Sequence, residues 1–309
     1  MRIFLLPHNN ALVTRSKKIT DENMHEFIKI AILITCHNRR QVTLRCLECI
    51  EASHIPGDIE IDVILVDDGS TDGTSEQVLH RYPKVKIVHG DGNLYWNGGM
   101  RVAFEEALKG DFTHYLWLND DTLLYPHAIA SLVAACTEST TSNAKPTLIV
   151  GSTQDSITKE LSYGGLIRAS MLKRTQFRRL QPKDYLIRCD SMNGNCVLIP
   201  DAVPREIGGI EPRFAHAIGD IDYGLRATNA GFTIYVAVGF VGSCSNNSKT
   251  GSFNDPSIST PVRMKKMLGP KGLPLIPWMV FTKRHAGIFW PLYWIWPYVK
   301  LLAKGVLRK

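Results

Sequence analysis

Residues 28–125 alternate between short apolar runs and segments with helical spacing, whereas residues 1–27 are polar and irregular. Four runs are typical of buried strands, because each is short, apolar and closed by polar or turn-forming residues. They are Ile28–Thr35, Ile59–Val66, Val85–His89 and His114–Asn119. The intervening segments predict helices over Val42–Ile50, from Thr74 to about His80, and over Met100–Leu108. Alternating strands and helices with almost continuously apolar strands predict an α/β fold, a mostly parallel sheet covered by helices on both faces.

Polar clusters follow three of these predicted strands. In chain order they are Thr35/His37/Asn38, Asp67/Asp68 and Asn119/Asp120/Asp121. Ligands of such sheets bind beyond the carboxyl ends of the strands, so the three clusters predict one binding site. Each cluster also has a purely local explanation. The aspartates after the second strand could simply turn the chain, and those after the fourth could cap the helix that follows.

The motifs absent from the sequence narrow what this site can bind. No GxxxxGK[ST] is present, no GxGxxG follows the first strand, and neither HExxH nor a zinc-spaced Cys/His cluster occurs. Carboxylates after the fourth strand suit Mg²⁺ or Mn²⁺, which take oxygen ligands and bridge to substrate phosphates. A carboxylate after the second strand can accept a hydrogen bond from a base or ribose. Taken together, the clusters favour a diphosphate-and-metal site.

Composition and length fit a globular protein with one large or two ordinary domains. The chain has 309 residues, of which 44% are hydrophobic and 21% charged. Its seven cysteines, an odd number mostly within apolar runs, favour reduced thiols in the cytosol over a disulfide framework. The start of the chain lacks the pattern of a secretory signal. The longest apolar run, Ala286–Val299, is interrupted by Pro291 and Pro297, so no continuous membrane-spanning helix is predicted.

The net charge of +7 is distributed unevenly. Residues 256–309 hold ten Lys and Arg, no Asp or Glu, and four of the six Trp, whereas residues 1–255 carry 26 basic and 29 acidic groups. A mildly acidic body argues against nucleic acid as a partner. The basic, aromatic tail instead predicts association with an anionic membrane surface without crossing it. The alternative is that these aromatic side chains pack against the rest of the chain or form a dimer contact.

Five motifs, in order, resemble those of family-2 glycosyltransferases with the GT-A (Rossmann-like) fold. They are Ile32–Arg39, Val63–Thr74, Gly92–Arg101, Trp117–Thr122 and Gly219–Arg226. The similarity extends from about Ile28 to Val238 and is greatest to the rhamnosyltransferase-like branch of bacterial surface-polysaccharide synthesis. Two positions depart from the usual pattern. Asn119 opens the metal motif where Asp is usual, and Gly219 stands where Glu is frequent.

The resemblance implies an inverting, metal-dependent glycosyltransferase that uses a dTDP- or UDP-linked sugar and a glycan or lipid-linked acceptor. Asp121 would hold Mg²⁺ or Mn²⁺, and Asp220 would be the catalytic base, with Asp222 the less favoured choice. The remaining donor-binding residues implied by the motifs are Thr35, His37, Asn38, Asp67, Asn97, Gly98, Gly99, Asn119 and Asp120. Gly98 and Gly99 would form a tight turn before a helix and allow close approach of the donor.

The implied organisation has four parts. Residues 1–27 form an N-terminal extension, 28–125 the nucleotide-sugar half, 126–255 the acceptor half and 256–309 the membrane-associating tail. The expected location is cytoplasmic, peripheral on the inner face of the cell membrane. The basic stretch Ile167–Arg188 is predicted to be a solvated loop, or alternatively a segment that orders over an anionic substrate. His216 is predicted to be a packed core histidine, or alternatively to line the acceptor side of the site. His285 is predicted to be a charged surface histidine, or alternatively to close the metal site.

Two functions of other classes remain open at this point. A nucleotidyltransferase acting on sugar phosphates would also use a parallel sheet and a metal-binding carboxylate. It would need a Gly-rich basic loop after the first strand, where this chain has Cys36-His37-Asn38-Arg39. A non-catalytic membrane-surface protein would explain the tail but would leave the carboxylates at Asp121 and Asp220 without a role.

Overall fold

The computed structural model describes residues 27–246, 248 and 250–306. The predicted N-terminal extension therefore lies, except for its last residue, outside the described residues. Within them the sequence forms thirteen strands and nine helices.

The strands are β1 Ile28–Cys36, β2 Ile59–Asp67, β3 Lys86–His89, β4 His114–Leu118, β5 Leu123–Leu124, β6 Leu148–Gln154, β7 Leu161–Tyr163, β8 Gly165–Arg168, β9 Phe177–Arg179, β10 Ile187–Cys189, β11 Ser191–Met192, β12 Cys196–Pro200 and β13 Ile234–Ser243. The helices are α1 Arg40–Glu51, α2 Thr74–Arg81, α3 Tyr95–Ala107, α4 Ala128–Thr141, α5 Ala202–Ile207, α6 Gly219–Asn229, α7 Thr260–Leu268, α8 Leu275–His285 and α9 Trp290–Val306. The four predicted strands are confirmed to within two residues.

The main sheet has the order β10-β13-β6-β12-β4-β1-β2-β3, with β5 and β7 paired to β13 and β6. Strands β3, β2, β1 and β4 are parallel, as the first half of the sequence predicts. Strand β12 enters antiparallel between β4 and β6, so the two halves of the chain share one sheet. A small second sheet has the order β11-β8-β9.

Strand β1 explains why the sheet is buried on both faces. Side chains alternate across a strand, so Ile30, Ile32 and Ile34 face one apolar cluster while Ala31 and Leu33 face the other. The first cluster contains α1 and α4, and the second contains α3 and α6. This is the two-faced α/β arrangement that the continuous apolar runs predict.

Helix α3 begins earlier than the sequence predicts. The expected start at Met100, after a tight turn at Gly98 and Gly99, is wrong, because both glycines lie inside the helix. The reason is packing against β1. A methyl group at Gly99 would overlap Thr35 Oγ1, so glycine lets α3 lie directly against the end of the strand.

The C-terminal residues form three helices that pack on α6 and the loop before it. Trp278, Phe281, Tyr298 and Leu301 are buried in an apolar cluster with residues of α6 and the loop before it. Helix α9 is continuous through Pro297, contrary to the expectation that prolines would interrupt it. Among the described residues, no helix has both the length and the apolar character needed to cross a bilayer.

Candidate active site

A cleft of about 1060 Å³ lies at the carboxyl ends of β1, β2 and β4 and is closed on its other side by the segment around α7. It is lined by Thr35, Cys36, His37, Arg39, Asp68, Gly92, Tyr95, Trp96, Asn119, Asp120, Asp121, His216, Ser248, Thr250, Gly251, Ser252, Phe253, Lys266, Gly269, Pro270 and Lys271. Five of the ten predicted donor and metal residues are among them, namely Thr35, His37, Asn119, Asp120 and Asp121. Asn38, Asp67, Asn97, Gly98 and Gly99 do not line the cleft.

The two aspartates after β2 have different surroundings. Asp67 is buried and accepts hydrogen bonds from the Ser70 amide (2.9 Å) and the Ser75 hydroxyl, so it holds the turn that follows β2. Asp68 lies at the cleft. Its carboxylate accepts three backbone amides of the segment that leads into α3, from Gly92 to Tyr95, at 2.8 to 3.1 Å. Asp68 therefore fixes the loop that forms one wall of the cleft.

His37 and Asn38 connect the end of β1 to the same wall. His37 Nδ1 lies 2.5 Å from the Asp68 carbonyl oxygen, and its Nε2 lies 3.1 Å from Asn38 Nδ2. Asn38 has a positive φ of 51° and accepts the Thr71 amide at 2.8 Å, which ties the turn after β1 to the turn after β2. The ring of His37 remains exposed to the cleft.

Arg39 binds both carboxylates that follow β4. Its guanidinium donates to Asp120 Oδ1 at 2.9 Å and to Asp121 Oδ2 at 2.8 Å. Asp120 is buried, and burial raises its pKa to about 7 even though the Arg39 charge opposes that shift. Asp121 keeps about a quarter of its side chain exposed to the cleft. Of the two, Asp121 is the carboxylate available to a ligand.

The surroundings of Asp121 fit a hard cation only when substrate supplies further ligands. No group of three or more His, Cys, Asp or Glu side chains in the described parts of the chain is arranged to hold a metal ion. Mg²⁺ in transferases commonly has one or two carboxylate ligands, with substrate phosphates and water completing its coordination. The second oxygen of Asp121 accepts the Cys244 thiol at 3.3 Å, which orients the carboxylate. One protein carboxylate is therefore sufficient here if a diphosphate binds with the cation.

Trp96 contacts both Asn119, the first residue of the metal motif, and Gly194 in the segment before β12. Its indole Nε1 donates to Asn119 Oδ1 at 2.6 Å, which engages the amide oxygen of the residue that replaces the usual Asp. The same ring lies against Gly194, where any Cβ would overlap it. The Gly194 amide donates to Asp220 Oδ2 at 3.0 Å. Asp220 is thus linked through one residue to a side chain that lines the cleft.

Asp220 has the surroundings of a functional carboxylate. It lies in the first turn of α6, where its two oxygens accept the Gly194 and Ile221 amides. Burial raises its pKa above the usual range, with the backbone hydrogen bonds acting in the opposite direction. No cation pairs with it in the described residues.

The departure from the family pattern at Gly219 has a packing cause. A Cβ there would overlap the Asn97 side chain, so any residue larger than glycine would displace Asn97. Asn97 is buried, donates to the Ala217 carbonyl at 3.2 Å and has no partner for Oδ1 among the described residues. It therefore braces the loop before Asp220 and does not line the cleft.

Asp222 is part of a buried ion cluster. It accepts Arg226 Nε at 2.9 Å, Arg284 Nη1 at 2.6 Å and His285 Nε2 at 2.8 Å. Although burial acts to raise it, the pKa of Asp222 is lowered by the His285 hydrogen bond and the two guanidinium charges. The prediction that His285 is a surface residue is wrong, because the side chain is buried against Asp222. The cluster fastens α8 to α6.

Sequence reasoning missed the cations of the cleft. Lys266 and Lys271, which the sequence assigns to a membrane-associating tail, line the cleft opposite the strand ends. Burial lowers the pKa of His216, which also lines the cleft, to about 4, and the nearby Lys271 charge acts in the same direction. The only sequence signal for these residues is the general excess of basic groups, which does not show where the tail folds.

These features define a class of protein, an α/β protein with a carboxylate-lined cleft at the carboxyl ends of its parallel strands. The sequence profile of glycosyl transferase family 2 matches residues 31–197, and the chain belongs to that family. The expectation of a family-2 glycosyltransferase with a GT-A fold and a rhamnosyltransferase-like sequence is confirmed.

Curated relatives include an N-acetylglucosaminyl-diphospho-decaprenol L-rhamnosyltransferase of Mycobacterium tuberculosis, 26% identical over 199 residues. The match covers 57% of this chain and 64% of that protein, so the chain spans less than two thirds of its relative's length. Among solved structures, residues 1–349 of S. aureus TarS are similar with a TM-score of 0.51 and 13% identity, covering 83% of this chain and 70% of that one. GalNAc-T7 with UDP, GalNAc and Mn²⁺ has a TM-score of 0.53 and 17% identity, covering 70% and 43%. At these identities the structural matches establish the fold.

Proposed function

We propose that this glycosyltransferase moves a sugar from a dTDP- or UDP-linked donor to a lipid-linked acceptor with inversion at the anomeric carbon. The observation that carries the proposal is a pair of carboxylates, one that lines the cleft and one connected to it. Asp121 is partly exposed at the ends of the parallel strands, and Asp220, which does not itself line the cleft, lies at the start of α6 and is joined to it through Gly194 and Trp96.

The donor would bind along the rim formed by β1, β2 and β4. Thr35 and His37 line the part of the cleft beside the ordered Gly92–Tyr95 loop, a place suited to the base and ribose. The resemblance assigns the contact with the nucleotide base to Asp67, whereas Asp68 is the aspartate of this pair that lines the cleft. The diphosphate would lie toward Asp121, where Arg39 and the lysines around α7 supply positive charge.

A divalent cation, Mg²⁺ or Mn²⁺, would be held by Asp121 together with the donor phosphates. When bound, such an ion stabilises the negative charge of the leaving diphosphate. Arg39 would have to share Asp121 with it, since the guanidinium occupies Oδ2. Asp120, buried and bonded to Arg39, would keep that arginine in position.

Asp220 would accept the proton of the attacking acceptor hydroxyl. A carboxylate with a raised pKa is a stronger base than an exposed one, and a well-placed base contributes typically ~10²–10⁴-fold in rate. Asp222 is unsuited to this step, because two guanidinium groups and His285 already occupy its oxygens. This contrast supports Asp220 over Asp222.

The acceptor assignment rests on the rhamnosyltransferase relative, whose name specifies a sugar-diphospho-decaprenol acceptor. In this chain Lys266 and Lys271 line the cleft opposite the strand ends, and both are exposed. Two exposed lysines on that wall suit an acceptor that carries a diphosphate. We propose a polyprenyl-diphosphate-linked sugar, and a protein located at the cytoplasmic face of the membrane that holds it.

The test is release and transfer of sugar from a panel of dTDP-, UDP- and GDP-sugars, with Mg²⁺, with Mn²⁺ and with chelator. Turnover of one donor only when a divalent cation is present would support the proposal. A nucleotidyltransferase would instead form a sugar nucleotide from a nucleoside triphosphate and a sugar phosphate. A non-catalytic protein would turn over none of these substrates.

The metal assignment has its own matched pair of variants. Asp121→Ala should abolish the response to cation, since a carboxylate is the better ligand for a hard ion. Asn119→Ala should retain that response, because the Asn119 side-chain oxygen is engaged by Trp96. Isothermal titration with Mn²⁺ and nucleoside diphosphate measures the difference. Wild-type cation affinity in Asp121→Ala, or full activity in chelator, would refute the assignment.

A further inference from the structure

Helix α9 has two apolar faces, and only one of them is packed. Tyr298 and Leu301 are buried against α7 and α8. The opposite face and the two residues before the helix are exposed, namely Ile288, Phe289, Leu292, Ile295, Trp296, Val299 and Leu302. At about 100° per residue, the five of these positions that lie within α9 fall within a contiguous arc of roughly 120°. A folded chain rarely exposes such a stripe without a partner for it.

A second exposed apolar segment lies beside this stripe. The tip of the β8–β9 hairpin exposes Met171 and Leu172, the latter to 87%. The Tyr293 hydroxyl donates to the Leu172 carbonyl at 2.7 Å, which fixes the hairpin tip to the first turn of α9. Arg168 binds the carbonyls of both Arg174 (2.6 Å) and His285 (3.3 Å) and thereby links the hairpin to the end of α8. We call residues 171–172, 288–289 and the outward face of α9 the docking surface.

The charges around the docking surface are of one sign. Lys173 and Arg174 follow the exposed hairpin residues, and Lys283 and Lys300 are exposed on α8 and α9. Neither residues 169–179 nor residues 256–306 contain an Asp or Glu. Arg284, which the sequence also suggests for lipid contact, is instead bonded to Asp222 and Glu211. The remaining basic side chains have no acidic neighbour in their own segments.

This charge pattern distinguishes between possible occupants. A second copy of the chain, related by a twofold axis, would bring the same basic rim against itself, and like charges would repel. An anionic lipid surface complements both the apolar stripe and the basic rim. We propose that the docking surface holds the protein on an anionic membrane, with α9 lying in the interface plane and the hairpin tip inserted beside it.

The contact residues differ from those that sequence composition suggests. Trp278 and Tyr298 are used for packing, and Trp294 donates its indole N–H to the Leu275 carbonyl at 3.0 Å. Aliphatic side chains, with Phe289 and Trp296, form the exposed stripe instead. Helices α7 and α8 pack on α9, so docking would bring the wall of the cleft that carries Lys266 and Lys271 near the lipid surface.

The test is co-sedimentation of the full chain with vesicles of equimolar phosphatidylcholine and phosphatidylglycerol, and with phosphatidylcholine alone. We expect binding to the anionic vesicles that weakens with salt, and little binding to the neutral ones. Leu172→Ser and Leu292→Ser should each weaken binding about tenfold, because each removes one large apolar side chain from the lipid contact. Lys173→Glu should weaken binding mainly at low salt.

Matched controls lie outside the docking surface. Ile157 is 86% exposed, as Leu172 is 87% exposed, and Lys159 is exposed in the same turn as Ile157. Ile157→Ser and Lys159→Glu should leave vesicle binding unchanged, and thermal unfolding of every variant checks its fold. Equal losses in the controls, no vesicle binding by the wild type, or a shift from dimer to monomer in Leu292→Ser would overturn the proposal. Because vesicle binding is measured by sedimentation, a negative result would not contradict the proposed sugar transfer. Likewise, a failure to detect sugar transfer would not contradict the proposed membrane binding.

Discussion

Replacing Asp222 with asparagine tests whether the second acid of α6 is structural. The Asp222 carboxylate is fully buried, whereas Arg226 and Arg284 keep 17% and 29% of their side chains exposed. Asp222→Asn leaves the Arg226 guanidinium without its carboxylate partner and Arg284 paired with Glu211 alone, and it leaves one oxygen where His285 and the two arginines now share two. Removing one partner of a buried ion pair costs about 3–5 kcal/mol. Because both arginines reach solvent, we expect the lower end, about 3 kcal/mol.

The loss is measurable by urea or thermal unfolding followed by circular dichroism. For a chain of this size, about 3 kcal/mol corresponds to a fall in Tm on the order of 6 °C. The control is Glu105→Gln, which breaks an exposed pair with Arg101 and should cost only about 0.3–0.5 kcal/mol. An Asp222→Asn variant with wild-type stability and no transferase activity would refute the reasoning, and would make Asp222 the base.

Two further predictions concern the fold. Burial lowers the pKa of His114 and His216 to about 4, against about 6.5 in the unfolded chain, so the unfolded state binds more protons between these values. The free energy of unfolding should therefore fall as pH drops from about 6.5 to 4. In a series of urea unfolding curves over this pH range, His114→Gln should make that fall smaller. A free energy of unfolding that stays constant over the range would contradict the prediction. Gly99→Ala should cost about 1–3 kcal/mol through overlap with Thr35 Oγ1, and Thr35→Ala in the same chain should recover part of it. Gly57→Ala, which has open space around it, is the neutral comparison, and equal stability of both alanine variants would exclude the overlap.

The parallel half of the sheet could be predicted because its strands are buried on both faces. Residues 30–34 and 63–66 are apolar without interruption, and only a sheet covered on both sides requires that pattern. The antiparallel pairing of β12 with β4 and β6 could not be predicted from the sequence. Cys196–Pro200 is equally apolar, and an apolar run does not show which neighbour it pairs with or in which direction.

The part of the site that could be predicted consists of the polar residues that directly follow the strands in the sequence. Thr35, His37 and Asp121 lie where the sheet topology brings them, at the carboxyl ends of parallel strands. Contacts between distant segments carried no such signal. Lys271 reaches the cleft only because α7 and α8 fold back on α6, and the spacing of residues in the tail does not specify that packing.

His285 is a second residue whose burial could not be predicted from its neighbours in the sequence. Lys283 and Arg284 precede it, which is typical of an exposed segment. In the structure Arg284 turns toward Asp222, and His285 follows it into the interface between α8 and α6. The buried carboxylate of Asp222 in α6 therefore places His285 in the interior, although its neighbours in the sequence indicate an exposed position.

The catalytic claim is tested most directly by Asp220→Asn, with transfer and donor binding measured on the same preparation. The substitution keeps the size of the side chain and removes its basicity. The mechanism predicts a fall in transfer rate of about 10²–10⁴-fold, with the affinity for donor and Mn²⁺ in calorimetry staying within a few-fold of wild type. Transfer at the wild-type rate, or donor affinity lost in proportion to transfer, would contradict the assignment of Asp220 as the base.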